Sequence, residues 1–587
     1  MFKYIKQHPY TLSAILFALW AVINIIHAAT ADLSGAEASM WYAAKNLDWG
    51  YVELSPLAAL MTWLGVGLDG NTPLAVRLIF TLSEPLALWL FYRVASQGRA
   101  SIGSAVTYFL IAFSLPLLQI YGLFASSQIT FFLAVAICLW AVNRYEKKAN
   151  WANIALLSVA LALLLTASAT GVFLIIALIA AHPKRLLSWR SYAIVLLTAL
   201  LLWPLIVWQA QNSWPVMESF LNPIEQEPGL GVAKVAWSIF MWFNPLILVP
   251  FLAVLFIKGQ KNAKTSSPME HTMRVVFWVY VGVMLLASWR GAKNGLWITP
   301  ICFSMLYVLS ARAKFSLGLA RYLRTVGLVT TIVFLGFRAM LFAEPAMAEP
   351  LGVIHTEPLS RAAADTLAAH QVERLALKDD KRNAALMNFY TKTHTLSLPS
   401  IYGEPNQYHK HTTNNDLSGR RVAIEVSDSA KNAVPKDSLN MIFLPLELGA
   451  PRRTAYVTIQ DNYAPTEAIT IQVETLPRKV LTGSRIGLLL RIYNPYSFAV
   501  DFGQKQLHKV VACFREKPLG KVSIINLPIK AQRVEPLSSI VIATTAQMPI
   551  VTTGSYWLGF SLYRDPFAPC FNSKIFTIDI INPKSKF

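Results

Sequence analysis

The stretch 32–60, DLSGAEASMWYAAKNLDWGYVELSPLAAL, follows the first long apolar segment of the chain and precedes a series of further apolar segments. It carries four carboxylates among four aromatic side chains: Asp32, Glu37, Asp48, Glu53, Trp41, Tyr42, Trp49 and Tyr51. Its apolar residues have helical spacing around Met40 and Ala44, which predicts an amphipathic helix along a membrane surface, with a second such element at 56–68. The alternative is a capping loop with ordinary interfacial aromatic residues.

The composition is that of a polytopic membrane protein. The 587 residues are 55% hydrophobic and 14% charged, whereas soluble domains carry about 25% charged residues. About eleven apolar runs have spanning or near-spanning length, near residues 10–28, 74–95, 102–121, 124–142, 152–168, 170–182, 191–209, 234–257, 273–289, 295–310 and 317–343. The sequence therefore predicts an α-helical membrane bundle.

Basic residues orient this bundle and explain its formal net charge of +20. Every second loop is rich in Lys and Arg, which places the N-terminus in the cytoplasm and puts the loop 29–73, and everything after about 343, on the exported side. The first apolar run lacks a cleavage site for a signal peptidase, so we expect it to be retained. Because the cations lie in loops and no basic tail is present, nucleic-acid binding is not expected.

Three parts follow one another along the chain: the membrane bundle at 1–343, a small α/β module at 344–440, and a β-sandwich at 441–587. Helix–strand alternation predicts the second part. Short alternating apolar runs between turns predict the third, with an immunoglobulin-like sandwich as one form of it. Cys513 and Cys570 fall in this part, where they either form a disulfide or remain two buried thiols.

Several motifs resemble those of the membrane glycosyltransferases that use polyprenyl-phosphate sugars, in particular lipid A aminoarabinose transferases and bacterial relatives of protein O-mannosyltransferases. DLSGAEASMWYAAKNLDWGYVELSPLAAL is similar to the acidic pair, DWGY segment and proline-containing helix of that family. FASSQITFFLAVAICLW, LLLTASATGVF, WQAQNSWPVMESF and ASWRGAKNGLWITP follow in the family's order. PNQYHKH resembles the Asn-Gln-Tyr motif of its exported module. The resemblance covers about 430 residues and implies a GT-C-like fold.

The departures from the family pattern fall on positions expected to do chemistry. Ala36 stands at the first position of the acidic pair, so that only Glu37 remains. Leu54 lies where a basic residue usually precedes a Pro-Pro pair, Ser127 where an exported Asp is usual, and Ala167 where a Lys is usual. These substitutions leave two interpretations open: an active transferase that uses other residues, or a member of the superfamily without transferase activity.

The family's reaction needs a carboxylate that takes the proton of an acceptor hydroxyl, and a cation that meets the charge of the departing lipid phosphate. The resemblance implies Glu37 as the base, with Asp32 and Asp48 as substitutes. For the phosphate it implies the basic residues near the exported helix ends, Arg77, Arg290 and Lys293. Trp49, Tyr51, Asn406, Gln407 and Tyr408 are the expected sugar-binding residues.

No cofactor or metal site is predicted with certainty, although a divalent cation is an alternative partner for the phosphate. His409 and His411 lack a clear third ligand and are more simply part of a surface loop. Glu84 lies within an apolar run, seven residues after Arg77, and we expect it to be the buried partner of an arginine rather than a catalytic group.

The sequence thus predicts a multi-pass protein of the bacterial inner membrane with periplasmic C-terminal domains. As an enzyme it would move a sugar from a polyprenyl phosphate to an envelope glycolipid or glycan, as in lipid A modification. The alternative is a degenerate member that binds lipid or joins a partner protein through its β-sandwich.

Overall fold

The computed structural model describes residues 9–51, 54–212, 214–217, 231–256, 267–289, 298–343, 355–401, 408, 414–426, 443–516, 522–564, 567 and 570–581. The chain forms two compact units, Met1–Ile354 and His355–Phe587. The described part of the first unit is helical. Its α-helices in chain order are α1 Pro9–Thr30, α2 Gly35–Ala44, α3 Pro56–Asp69, α4 Pro73–Ala95, α5 Ile102–Phe113, α6 Pro116–Tyr121, α7 Ser127–Lys147, α8 Trp151–Ala167, α9 Gly171–Ala181, α10 Trp189–Gln211, α11 Gly231–Trp242, α12 Pro245–Phe256, α13 Pro268–Trp289, α14 Thr299–Ala313 and α15 Leu317–Ala343.

Proline and hydroxyl residues define the helix starts between α1 and α4. Ser55 and Thr72 are the N-caps of α3 and α4, and each side-chain oxygen accepts a hydrogen bond from a backbone N–H of the first turn. A proline follows each cap, where its missing N–H costs nothing. Helix α2 begins with a capping box formed by Ser34 and Glu37. The local sequence therefore fixes both helices that were predicted at this surface.

Six of the described helices are long and apolar enough to cross a membrane, and the number rises to seven if the bent pair α11–α12 is one span. Two predicted spans are interrupted. The run 102–121 is divided by Pro116 into α5 and α6, and the run 234–257 bends by 115° between α11 and α12. Because a proline removes one helical hydrogen bond and clashes with the preceding turn, it ends a helix inside an apolar run. The prediction of a helical membrane bundle is confirmed, while the total of eleven spans stays a prediction.

The second unit begins with an α/β sheet whose strand order is β2-β1-β3-β5-β4. Strands β1 and β2 are parallel, as are β1 and β3, and β5 runs antiparallel to both of its neighbours. The elements are α16 Thr356–Ala369, β1 Arg374–Lys378, α17 Lys381–Tyr390, β2 His394–Leu398, β3 Val422–Glu425, β4 Phe443–Gly449 and β5 Arg452–Gln460. The predicted boundary at 440 is therefore too early, because alternation identifies a strand but not the sheet that it joins.

The rest of the second unit is β-rich. One sheet has the order β11-β10-β14-β15-β7 and another has β13-β8-β6, with β12 and β9 as a separate pair. Their inward residues form one hydrophobic cluster that includes Leu490, Phe514 and Phe560. The strands are β6 Thr470–Thr475, β7 Lys479–Leu481, β8 Arg485–Tyr493, β9 Val500–Phe502, β10 Lys509–Glu516, β11 Val522–Asn526, β12 Gln532–Val534, β13 Ser539–Gln547, β14 Gly554–Tyr563 and β15 Phe576–Ile581. An immunoglobulin-like topology stays a prediction.

Cys513 and Cys570 are both buried and free. Of the two outcomes that the sequence left open, the structure has the buried thiols. Burial raises the pKa of the Cys513 thiol to about 12, so this thiol is protonated and unreactive at neutral pH.

Candidate functional site

Glu37 of α2 and Arg77 of α4 form an ion pair, and both side chains are buried. Arg77 Nε donates to Glu37 Oε1 at 2.7 Å, and Arg77 Nη2 donates to Oε2 at 2.7 Å. The remaining Arg77 donors reach the carbonyls of Ala28, Ala31 and Asp32 at 3.1, 2.6 and 2.7 Å. A guanidinium has five N–H donors, and all of them are used within the protein.

The Glu37 carboxylate is equally occupied. In addition to Arg77 it accepts hydrogen bonds from the N–H and hydroxyl of Ser34, both at 2.9 Å, and from the N–H of Ala125 at 2.9 Å. Burial alone would raise the pKa of Glu37, but the charge and hydrogen bonds of Arg77, with the two backbone donors, hold it below its ordinary value. A carboxylate with its lone pairs filled and no exposed surface has no room for an acceptor hydroxyl. In this structure Glu37 and Arg77 are therefore partners in one buried ion pair. The roles of base and phosphate ligand that the resemblance implied for them stay predictions.

Asp48 and Tyr51 close the turn of the DWGY segment. Asp48 accepts from the N–H of Trp49 at 2.8 Å and from Nε1 of Trp208 at 2.7 Å, and its own N–H donates to the Tyr51 hydroxyl at 2.9 Å. A Cβ on Gly50 would overlap the ring of Trp208. Glycine is therefore required at this position for the loop to lie against α10.

Hydrogen bonds of Ser55 join three parts of the chain that contain substituted positions. The N–H of Ser55, next to Leu54, donates to Ser127 Oγ at 3.4 Å, and the Ser55 hydroxyl donates to the carbonyl of Thr166 at 3.2 Å. Thr166 precedes Ala167 at the end of α8. Ser55 thus bonds to both Ser127 and Thr166. Ser127, Leu54 next to Ser55, and Ala167 next to Thr166 are positions where the resemblance expects charged residues. We call Ser55, Ser127 and Thr166 the neutral cluster.

Other residues of the loop retain surface. Trp49 has 66% of its surface exposed, and Asp32 is half-buried. Ala36 is exposed on α2, whereas the adjacent Glu37 is buried. In this chain the position where the resemblance expects the first acid is therefore exposed and carries Ala36, and the acid that remains, Glu37, is buried.

A second polar cluster lies within the bundle and joins Asn24, Glu84 and Arg338. Asn24 Nδ2 donates to Glu84 Oε2 at 3.0 Å, and Arg338 Nη1 donates to Asn24 Oδ1 at 2.8 Å. Arg338 Nη2 donates to the carbonyl of Gln119 at 2.7 Å. A Cβ on Gly122 would overlap the polar ends of Asn24 and Glu84. Glu84 is thus linked to an arginine through Asn24, and that arginine is Arg338 rather than Arg77.

Four predicted site residues, Arg290, Lys293, Asn406 and Gln407, lie outside the described residues, as do Glu53, His409 and His411. Tyr408 is described and is buried, and its hydroxyl accepts from Asn388 Nδ2 at 3.4 Å. Within the described ranges, no group of three or more His, Cys, Asp or Glu side chains is arranged to hold a metal ion.

Sequence reasoning missed Asn24, Trp208 and Arg338. Arg338 lies near the end of an apolar run, where a basic residue is easily assigned to the next loop. Trp208 is one of 17 tryptophans, and nothing in its neighbourhood distinguishes it. A polar residue in the middle of the first apolar run, as Asn24 is, was an available signal, because buried polar side chains in membrane helices usually have partners.

The fold is similar to that of solved glycosyltransferases. Over 76% of this chain and 97% of the other, it matches ArnT from Cupriavidus metallidurans in the apo state, with a TM-score of 0.56 and 12% identity. The same enzyme bound to undecaprenyl phosphate matches over the same shares, with a TM-score of 0.53 and 11% identity. The match to the arabinofuranosyltransferase AftD from Mycobacteria covers 98% of this chain and 60% of the AftD chain, with a TM-score of 0.43 and 12% identity. No protein-family model and no curated protein sequence matches the chain. The two ArnT structures confirm the predicted resemblance for the fold alone.

Proposed function

We propose that the protein is a bacterial inner-membrane glycosyltransferase that moves a sugar from a polyprenyl phosphate to an envelope glycolipid or glycan. The observation that carries this proposal is the match of its fold to nearly the whole of ArnT, including the form with undecaprenyl phosphate. In this proposal the N-terminus is cytoplasmic, and the loop between α1 and α4 and the whole second unit are periplasmic.

Because the Glu37 carboxylate already accepts hydrogen bonds from Arg77, Ser34 and Ala125, we assign the role of base to Asp32. The carbonyl of Asp32 is fixed by Arg77, and its carboxylate belongs to a half-buried residue rather than a buried one. In the reaction that we propose, Asp32 takes the proton of the acceptor hydroxyl, whose oxygen bonds to the anomeric carbon. The bond from that carbon to the phosphate oxygen breaks, polyprenyl phosphate leaves, and the configuration inverts.

The remaining roles follow the same logic. Trp49 offers an exposed ring against which the sugar can pack. Arg290 and Lys293 remain the proposed partners of the phosphate, since all five Arg77 donors are used. Asp48 and Tyr51 fix the conformation of the loop. In this proposal neither residue contacts the substrate.

A second candidate function is supported by the neutral cluster. Ser55 bonds to Ser127 and to Thr166, at or beside positions where the resemblance expects charged groups. Ala36 stands at an exposed position where it expects an acid. A site without these charges has less electrostatic stabilisation to offer a departing phosphate. In this second candidate the protein binds polyprenyl phosphate without transferring sugar, and serves as a partner subunit.

The test uses the full chain in nanodiscs with undecaprenyl phosphate bearing radiolabelled aminoarabinose or, separately, mannose, and with lipid A as acceptor. We expect label in lipid A, and a loss of about 100-fold or more for Asp32→Asn. The control is Asp69→Asn, which removes an exposed acid from the same loop and leaves transfer unchanged.

Binding of undecaprenyl phosphate, measured in the same nanodiscs, separates the two candidates. Binding without transfer of either sugar supports the second candidate. Neither binding nor transfer contradicts both, and full transfer by Asp32→Asn removes Asp32 as the base.

A further inference from the structure

One end of the helical bundle is strongly basic, and we call it the basic end. It is formed where α4, α7, α9 and α14 finish and where α5, α8, α10, α13 and α15 begin. The described cations there are Arg93, Arg99, Arg144, Lys147, Lys148, Lys184, Arg185, Arg190, Arg274, Arg312, Lys314, Arg321 and Arg324. The carboxylates among the same described residues are Glu146 and Glu270.

Both carboxylates have arginine partners. Arg185 binds Glu146 at 2.5 Å, while Arg274 and Arg312 share Glu270 at 3.1 and 2.8 Å. Other arginines of the basic end lie over aromatic rings, and these pairs are Arg93 with Trp89, Arg144 with Trp140 and Arg190 with Trp189. Six of these thirteen cations are therefore paired with carboxylates or lie on aromatic surface.

Lys314, Arg99 and Arg324 form no ion pair with a described carboxylate. Lys314 Nζ donates to the carbonyls of Ala95 and Ser96 at 3.1 and 2.8 Å, which ties the α14–α15 turn to the end of α4. Arg99 is exposed and lies four residues after Ala95. Burial, together with the nearby charge of Arg99, lowers the pKa of Lys314 to about 8. Two cations are thus held close to one another without a described carboxylate between them.

Arg324 of α15 completes the corner. Its Nε donates to the Thr107 hydroxyl at 2.7 Å and its Nη2 donates to the carbonyl of Gly103 at 3.1 Å. Gly103 lies in the first turn of α5, four residues after Arg99 in the chain. Arg324 is thus bonded to the helix that directly follows Arg99. We call Arg99, Lys314 and Arg324 the basic corner.

Exposed apolar side chains adjoin the basic corner. Phe315 has 65% of its surface exposed and Leu317 has 88%, directly after Lys314 in the chain. Ile102, at the start of α5, is 36% exposed. Apolar surface beside cations without a carboxylate partner, at the end of apolar helices, complements the two parts of an anionic phospholipid. The apolar surface matches the acyl chains, and the cations match the negatively charged headgroup.

We propose that the basic corner binds the phosphate-bearing headgroup of an anionic phospholipid, whose acyl chains lie against Phe315 and Leu317. Arginine and lysine donors form charge-assisted hydrogen bonds with phosphate oxygens. The net negative charge of the lipid, absent from zwitterionic headgroups, supplies the selectivity. The basic corner differs from Lys147, Lys148, Lys184 and Arg321, which also form no ion pair with a described carboxylate. Lys314 and Arg324 are held in place by hydrogen bonds to backbone carbonyls.

The test is native mass spectrometry of the delipidated full chain, titrated with phosphatidylglycerol or phosphatidylethanolamine. We expect tighter binding of phosphatidylglycerol to the wild type, and a loss of about fivefold for Arg99→Gln, since one basic residue near a membrane surface contributes about 1 kcal/mol. Arg99→Lys retains the charge and should restore most of the affinity. Arg190→Gln is the matched control, because it removes an equally exposed charge from the same end.

Three results would overturn the proposal. Equal losses of phosphatidylglycerol affinity for Arg99→Gln and Arg190→Gln would mean that binding depends on the total charge of the basic end rather than on one site. Equal affinity for the two lipids would remove the selectivity, and full competition by inorganic phosphate would mean that the corner takes free anions. Unfolding temperatures measured beside each titration ensure that only folded variants are compared.

Discussion

Two buried arginines of the bundle differ in how completely their hydrogen-bonding groups are matched. Arg77 has five donors and five hydrogen bonds, and its partner Glu37 is likewise filled. Arg338 makes two, to Asn24 and Gln119, while its Nε, Glu84 Oε1 and Gln119 Oε1 have no partner among the described residues. Both arginines link helices that are far apart in sequence.

This difference indicates which of the two clusters has a purely structural role and which can still bind a further polar partner. A filled pair cannot release a donor or a lone pair without leaving a buried charge unmet, which costs several kcal/mol. A cluster with unmatched groups already carries part of that cost, and such groups are where water or a further polar partner binds. We therefore assign Glu37 and Arg77 to holding the loop on the bundle, and we expect the Asn24–Glu84–Arg338 cluster to tolerate change better.

The largest expected effect is that of Arg77→Gln. This variant leaves Glu37 as a buried charge and removes the donors to three backbone carbonyls, so it should destabilise the protein by about 3–5 kcal/mol. The measurement is the free energy of unfolding, from titration with sodium dodecyl sulfate in mixed micelles. Arg93→Gln, which changes an exposed arginine of the same helix, is the control and should alter this free energy little.

A smaller effect is expected for Gly122→Ala in the other cluster. The added Cβ would overlap the ends of Asn24 and Glu84, and overpacking of this kind costs about 1–3 kcal/mol. Gly282→Ala is the control, since a Cβ there meets nothing within 4 Å. If both variants unfold at the same detergent concentration, Gly122 is not the close contact that the structure describes.

The smallest effect is expected for Glu84→Gln, which makes the same chemical change as Glu37→Gln. The substituted amide can still accept a hydrogen bond from Asn24, so we expect a loss of about 1 kcal/mol, against about 3–5 kcal/mol for Glu37→Gln. Both are measured in the same detergent titration. A larger loss for Glu84→Gln than for Glu37→Gln would reverse the comparison.

The sequence was sufficient for the membrane bundle, because apolar runs and basic loops record burial and orientation directly. It was also sufficient to locate the loop 29–73, since this loop lies between two apolar runs and is rich in carboxylates and aromatic residues. It could not show that Glu37 is already occupied, because its partner Arg77 lies 40 residues away. The same limit applies to the α/β module, where strand pairing across distant segments moved its end from 440 to 460.

The central claim is that Glu37 and Arg77 are bound to each other, and a double-mutant cycle tests it most directly. The free energy of unfolding is measured for wild type, Glu37→Gln, Arg77→Gln and the double variant. We predict that the double variant loses at least about 2 kcal/mol less than the sum of the single variants, because each single change leaves the other group buried and unpaired. Additive losses would contradict the account and return Glu37 to the list of groups available for catalysis.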